Sequence, residues 1–101
     1  MSEKSYKRVA AVSTAINVLK HLAEQREPVS GQQIAEALGA PYGTVMCHLV
    51  TLNEHRFVRQ IGDAWELDMG IGVIWARYKA QLEGKIEALS SQLRLLEIQG
   101  G

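Results

Sequence analysis

A mainly α-helical fold with one small β-hairpin is what this sequence predicts, and three observations carry the prediction. Apolar residues recur at spacings of three and four through three successive segments between Val9 and Leu52, as in short amphipathic helices. The pattern then switches to alternation over FVRQIGDAWEL, where Gly62-Asp63 supplies a tight turn between two short strands. From Met69 to Ile98 no proline interrupts the chain, and helical spacing returns.

The first segment, RVAAVSTAINVLKHLAEQ, sets Val9, Val12, Ile16, Leu19 and Ala23 on one stripe, which Val18 and Leu22 widen. Pro28 closes it. The second helix begins with complete local instructions: Ser30 caps it, Gln33 completes a capping box, and Val29 with Ile34 forms a hydrophobic staple. Ser30 is therefore read as a structural cap and not as a nucleophile. Ile34, Ala35 and Leu38 make the buried stripe, and Gly39 ends the helix in the left-handed conformation.

A third helix starts at Pro41 or Tyr42 and runs to about His55, with Val45, Leu49 and Leu52 facing the core and Val50 near that stripe. Two helices joined by so short a turn outline a helix-turn-helix. The alternating segment that follows becomes its wing, so residues 1–68 are read as a winged helix-turn-helix domain.

Residues 69–101 are read as a long helical extension that serves dimerisation. Trp75, Leu82, Leu89 and Leu96 fall at d positions of a heptad and Ile86 and Leu93 at a, with Lys79 at the intervening a position. Together with Tyr78 these apolar residues are the expected interface of a homodimer. Gly84 weakens the helix by about 1 kcal/mol relative to alanine, so the stripe needs a partner surface. The alternative is that it folds back on its own winged domain. A short chain buries a smaller fraction of its surface on folding than a long one, which also favours association.

The formal net charge of +0 hides an uneven distribution. Residues 1–26 carry Lys4, Lys7, Arg8, Lys20 and Arg26 against Glu3 and Glu24, a balance of +3. Residues 27–68 carry Arg56 and Arg59 against six carboxylates, a balance of −4, and the remainder is +1. The lone Cys47 excludes an intrachain disulfide and a thiolate zinc cluster, which fits a reducing cytoplasm. No signal-peptide core follows MSEKSYKR and no apolar run reaches the roughly 18 residues of a membrane span, so no membrane partner is expected.

From Ile34 to Val58 the sequence IAEALGAPYGTVMCHLVTLNEHRFV resembles the N-terminal winged helix-turn-helix domain of IclR-type transcriptional regulators. Ile34, Ala35, Leu38, Gly39, Pro41, Thr44, Val45, Leu49, Thr51, Leu52 and Val58 stand at the matching positions, and the resemblance extends over about residues 8–80. It departs from the family pattern at Tyr42-Gly43, where a lysine-serine pair is common, and at Cys47, where an arginine is. His48 replaces an apolar residue and Arg56 a common turn glycine. The resemblance implies a transcriptional regulator. The effector-binding domain usual in that family is not expected here, nor is sensing of a small metabolite by that route.

Read for chemistry, the second helix of the motif is the one that enters a major groove of double-stranded DNA. Tyr42, Gly43, Thr44, Met46 and Cys47 are its candidate base-facing residues, His48 and His55 possible additional contacts. Lys7, Arg8 and Arg59 are candidate phosphate ligands. The acidic middle segment keeps open a second reading, a protein-binding adaptor or inhibitor on the same scaffold. Enzymatic activity is not expected, because no nucleophile, base and oxyanion site come together. No cofactor is implied, and His21, His48 and His55 lack a metal-ligand spacing. Trp65 and Trp75 are read as core or interface anchors.

Overall fold

The computed structural model describes the backbone of residues 5–100 and the side chains of residues 5–98. In chain order the elements are α1 (Ala10–Ala23), β1 (Val29–Ser30), α2 (Gly31–Leu38), α3 (Tyr42–Glu54), β2 (Val58–Ile61), β3 (Ala64–Leu67) and α4 (Met69–Gly100). This is the mainly helical winged helix-turn-helix with a long terminal helix that the patterning predicts. It adds one element the sequence does not announce: β1 pairs antiparallel with β3, making a three-stranded sheet of order β1-β3-β2. Two residues are too short a run to show a period of their own.

The chain divides into two compact units, Met1–Gly70 and Ile71–Gly101. In the first, Val18 and Leu22 of α1, Ile34 and Ala35 of α2, and Val45, Leu49 and Leu52 of α3 close over Val58 and Trp65 of the wing. Trp65 is thus a core anchor.

Only part of the expected face of α1 is buried. Val18 and Leu22 are buried and Ala15 and Leu19 partly so, whereas Val9, Val12 and Ile16 are 60%, 55% and 45% exposed, and Ala23 is exposed as well. The helix carries two overlapping stripes at the same spacing, and periodicity alone does not choose between them.

Local chemistry fixes the turn between α2 and α3. The Gln33 amide donates to Ser30 Oγ at 3.1 Å while Gln33 Oε1 accepts from the Ser30 amide at 2.9 Å, completing the capping box. At the other end Ala40 N donates to Ala35 O and Gly39 N to Glu36 O, with Gly39 at φ 65°, a Schellman closure. The two helices approach closely at Gly31, where a Cβ would stand 2.5 Å from Met46 Sδ, the movable end of that side chain.

The end of α3 repeats the same closure with a less suitable residue. Phe57 N donates to Leu52 O and Arg56 N to Asn53 O, and Arg56 takes φ 61°. Gly70 N then donates to Arg56 O at 2.8 Å, which ties Gly70 to this closure. The wing pairs in register Val58↔Leu67 through Ile61↔Ala64 around Gly62-Asp63.

In the second unit, α4 leaves Trp75, Tyr78, Leu82, Ile86, Leu89, Leu93 and Leu96 all exposed. Lys79 Nζ lies 5.6 Å from the Trp75 ring centroid and 4.0 Å from Glu83 Oε2. Among the described residues no helix is long and apolar enough to cross a membrane.

Candidate nucleic-acid interface

With Val45, Leu49 and Leu52 in the core, the opposite ridge of α3 is determined by helical geometry at about 100° per residue. It runs through Gly43, Cys47, Val50 and Glu54, all exposed, with Thr44 and Thr51 exposed beside it. Val50, expected near the core stripe, is 53% exposed. The spacing from Gly43 to Cys47 to Val50 to Glu54 is itself helical, so the core positions of the same helix suffice to add Val50 and Thr51 to the candidate surface.

Three of the expected base-facing residues, Gly43, Thr44 and Cys47, lie on or beside this ridge. Met46 is set back, half-buried and packed on the core, because its thioether fills the space above Gly31. Tyr42 does both things considered for it: the side chain is 55% exposed, yet its Cε1 lies 3.5 Å from where a Gly31 Cβ would stand. Nothing lies within 4 Å of where a Cβ on Gly43 would be, so no packing constraint holds that position to glycine. His48 is half-buried and His55 exposed, its ring 6.2 Å from that of Phe57.

Hydrogen bonding on this helix is largely internal. Thr51 Oγ1 donates to Cys47 O at 2.9 Å, which turns the hydroxyl inward along the helix. Asn53 Nδ2 donates to Val58 O at 2.9 Å, tying α3 to the wing.

The wing has two differently furnished sides. Gln60 and Asp63 share a surface hollow with Tyr42, Ser30 and Gln32. Arg59 does not: it lines a separate hollow with Glu66, Gln25, Arg26 and Glu27 near the end of α1. There its Nη2 lies 2.6 Å from Glu66 Oε2. The wing cation expected to meet phosphate is therefore already paired and apart from the Tyr42 hollow. Lys7 and Arg8 are exposed ahead of α1. No lysine or arginine lies on α3 itself. Among the described residues no three His, Cys, Asp or Glu side chains converge on a metal position.

Comparison with known proteins matches this part of the chain. No curated protein matches it. A solved structure described as the crystal structure of an IclR family transcriptional regulator from Brucella abortus superposes with a TM-score of 0.60 at 28% identity, covering 64% of this chain. The chain spans 26% of that protein's length. The IclR helix-turn-helix domain matches residues 11–62, which run from the second residue of α1 through the helix-turn-helix to the end of β2 and into the wing's turn. The chain belongs to the IclR helix-turn-helix family.

Proposed function

We propose that the chain is a sequence-specific double-stranded DNA-binding transcriptional regulator that works as a homodimer in the cytoplasm. The observation that carries the reading is the exposed ridge of α3 on a helix-turn-helix scaffold, with Tyr42, Gly43, Thr44 and Cys47 accessible at the helix end that enters a groove. The family match and the likeness to a protein described as a transcriptional regulator support it. Residues 1–68 are the DNA-binding part in this proposal. Residues 69–101 are the dimerisation element, with the exposed Trp75, Tyr78, Leu82, Ile86, Leu89, Leu93 and Leu96 covered by the same residues of a second copy. Phosphate contacts come from Lys7 and Arg8; Arg59 is held by Glu66 and adds one only where that pair is broken.

Fluorescence anisotropy against a randomised duplex pool, repeated across salt concentrations, tests this. Saturable binding whose affinity falls with salt is expected, since phosphate contacts release counterions. Absence of such binding by the folded dimer rejects it. One observation favours the second reading, a protein-binding adaptor or inhibitor: α3 carries no cation and residues 27–68 are net acidic. That reading gains only if DNA binding is absent.

A further inference from the structure

We infer that the α3 ridge selects its site by contact with thymine C5-methyl groups, through Cys47, Val50 and the Thr51 methyl. This rests on the DNA-binding reading above and specifies the duplexes it selects. Bidentate recognition of guanine or adenine in the major groove requires Arg, Lys, Asn or Gln. Helix α3 holds one such residue, Asn53, and its amide is committed to Val58 O.

Between Thr44 and Glu54, which lie exposed toward the two ends of the helix, the remaining polar groups of the ridge are also spent or weak. Thr51 donates its hydroxyl to Cys47 O, so its methyl is the group left to offer a groove. The exposed Cys47 thiol is a poor donor. Val50 has no polar atom, and Met46, Cys47, Val50 and Thr51 together form a mostly apolar surface. In a B-form major groove the apolar feature on the base edges is the thymine methyl, and aliphatic contact is how proteins read it. Gly43, one turn before Cys47, lacks a side chain that would hold the backbone off the groove, although nothing in the fold crowds that position.

The test uses the full chain and the duplex it enriches most from a randomised pool. A matched duplex in which uracil replaces thymine within the bound half-sites lacks the methyls but keeps every phosphate and every hydrogen-bonding edge. Affinity is expected to fall about fourfold for each contacted methyl, from burial of one methyl-sized group. The salt dependence should stay the same, because no phosphate contact changes. Val50→Ala should weaken binding to the thymine duplex and leave binding to the uracil duplex unaltered.

Equal affinity for the two duplexes overturns the methyl inference while leaving DNA binding intact. Equal loss on both duplexes for Val50→Ala removes Val50 from the methyl contact. A pool that enriches no duplex rejects the DNA reading and this one together, and leaves the ridge to a protein partner.

Discussion

Arg59 and Glu66 stand directly opposite one another on β2 and β3 and close an ion pair across the wing, with Arg59 Nε donating to Glu66 Oε2 at 2.7 Å. The pair is partly exposed, so its contribution to stability lies within about 1 kcal/mol. Its effect on a polyanion is larger, because the carboxylate cancels the wing's cation. Glu66→Gln should therefore raise DNA affinity and steepen the dependence of log affinity on log salt by about one unit, the slope of one added phosphate contact. Arg59→Ala in the unmodified chain should change that slope little. A large loss from Arg59→Ala alone, read by anisotropy across salt, means that the ion pair opens on DNA.

Arg56 closes α3 at φ 61°, a conformation that costs a residue with a Cβ about 1 kcal/mol. Its backbone is held there by hydrogen bonds from Arg56 N to Asn53 O and from Gly70 N to Arg56 O. The side chain is exposed, so removing it sacrifices little packing. Arg56→Gly is expected to stabilise the fold by about 1 kcal/mol, seen as a higher denaturant midpoint at unchanged slope. Arg56→Ala keeps the strain and should show no such gain.

The neighbouring Gly70 gives the opposite expectation. A Cβ there would lie 2.5 Å from Arg56 O and 2.8 Å from His55 O, backbone atoms that cannot swing aside. Gly70→Ala should destabilise by about 1–3 kcal/mol, the range for forcing extra volume into a packed site. A thermal or denaturant melt of the variant measures it, and an unchanged midpoint means that α4 can draw back from the closure without cost.

These contrasts mark what could be read in the sequence. The capping box at Ser30 and Gln33, the Gly39 closure and the Val45, Leu49 and Leu52 stripe are local or periodic, and each forms as its residues specify. The unexpected features depend on tertiary choice. Which of two stripes α1 buries depends on what packs against it, and Val9, Val12 and Ile16 look equivalent to Val18 and Leu22 until the partner is known. The pairing of Val29 with Trp65 joins segments far apart in sequence. Arg59 is legible as a wing cation, but the register that puts Glu66 opposite it must be known before its charge can be seen as paired. Val50 is different, since its place on the outward ridge follows from the core positions of the same helix.

Gly43 separates stability from recognition. Its φ is not in the left-handed region and no atom lies within 4 Å of an added Cβ, so alanine fits the native backbone. Gly43→Ala should raise stability by about 0.5–1 kcal/mol through helix propensity and the lower entropy of the unfolded chain. The same methyl stands on the proposed groove-facing ridge and should weaken DNA binding. A variant that melts higher and binds DNA as tightly would remove Gly43 from the interface.

The dimer proposal turns on the exposed seam of α4, where Leu89 and Leu93 are 65% and 57% accessible in the isolated chain. Leu89→Asp combined with Leu93→Asp places a charge at one d and one a position, where burial against a second copy would leave it unpaired. Sedimentation equilibrium should show a dimer for the parent chain and a monomer for this variant. The helix-turn-helix unit should keep its melting transition, since its buried residues all precede Gly70. Lys79 supplies the complementary test: at an a position it limits the stability of pairing, and its ammonium rests beside Trp75 and Glu83 on its own helix. Lys79→Leu should lower the dimer dissociation constant, and a monomeric parent chain at micromolar concentration would remove the paired-helix arrangement altogether. On a two-half-site duplex the monomeric variant should bind at least about 100-fold more weakly than the parent, because it loses the effective concentration that pairing provides.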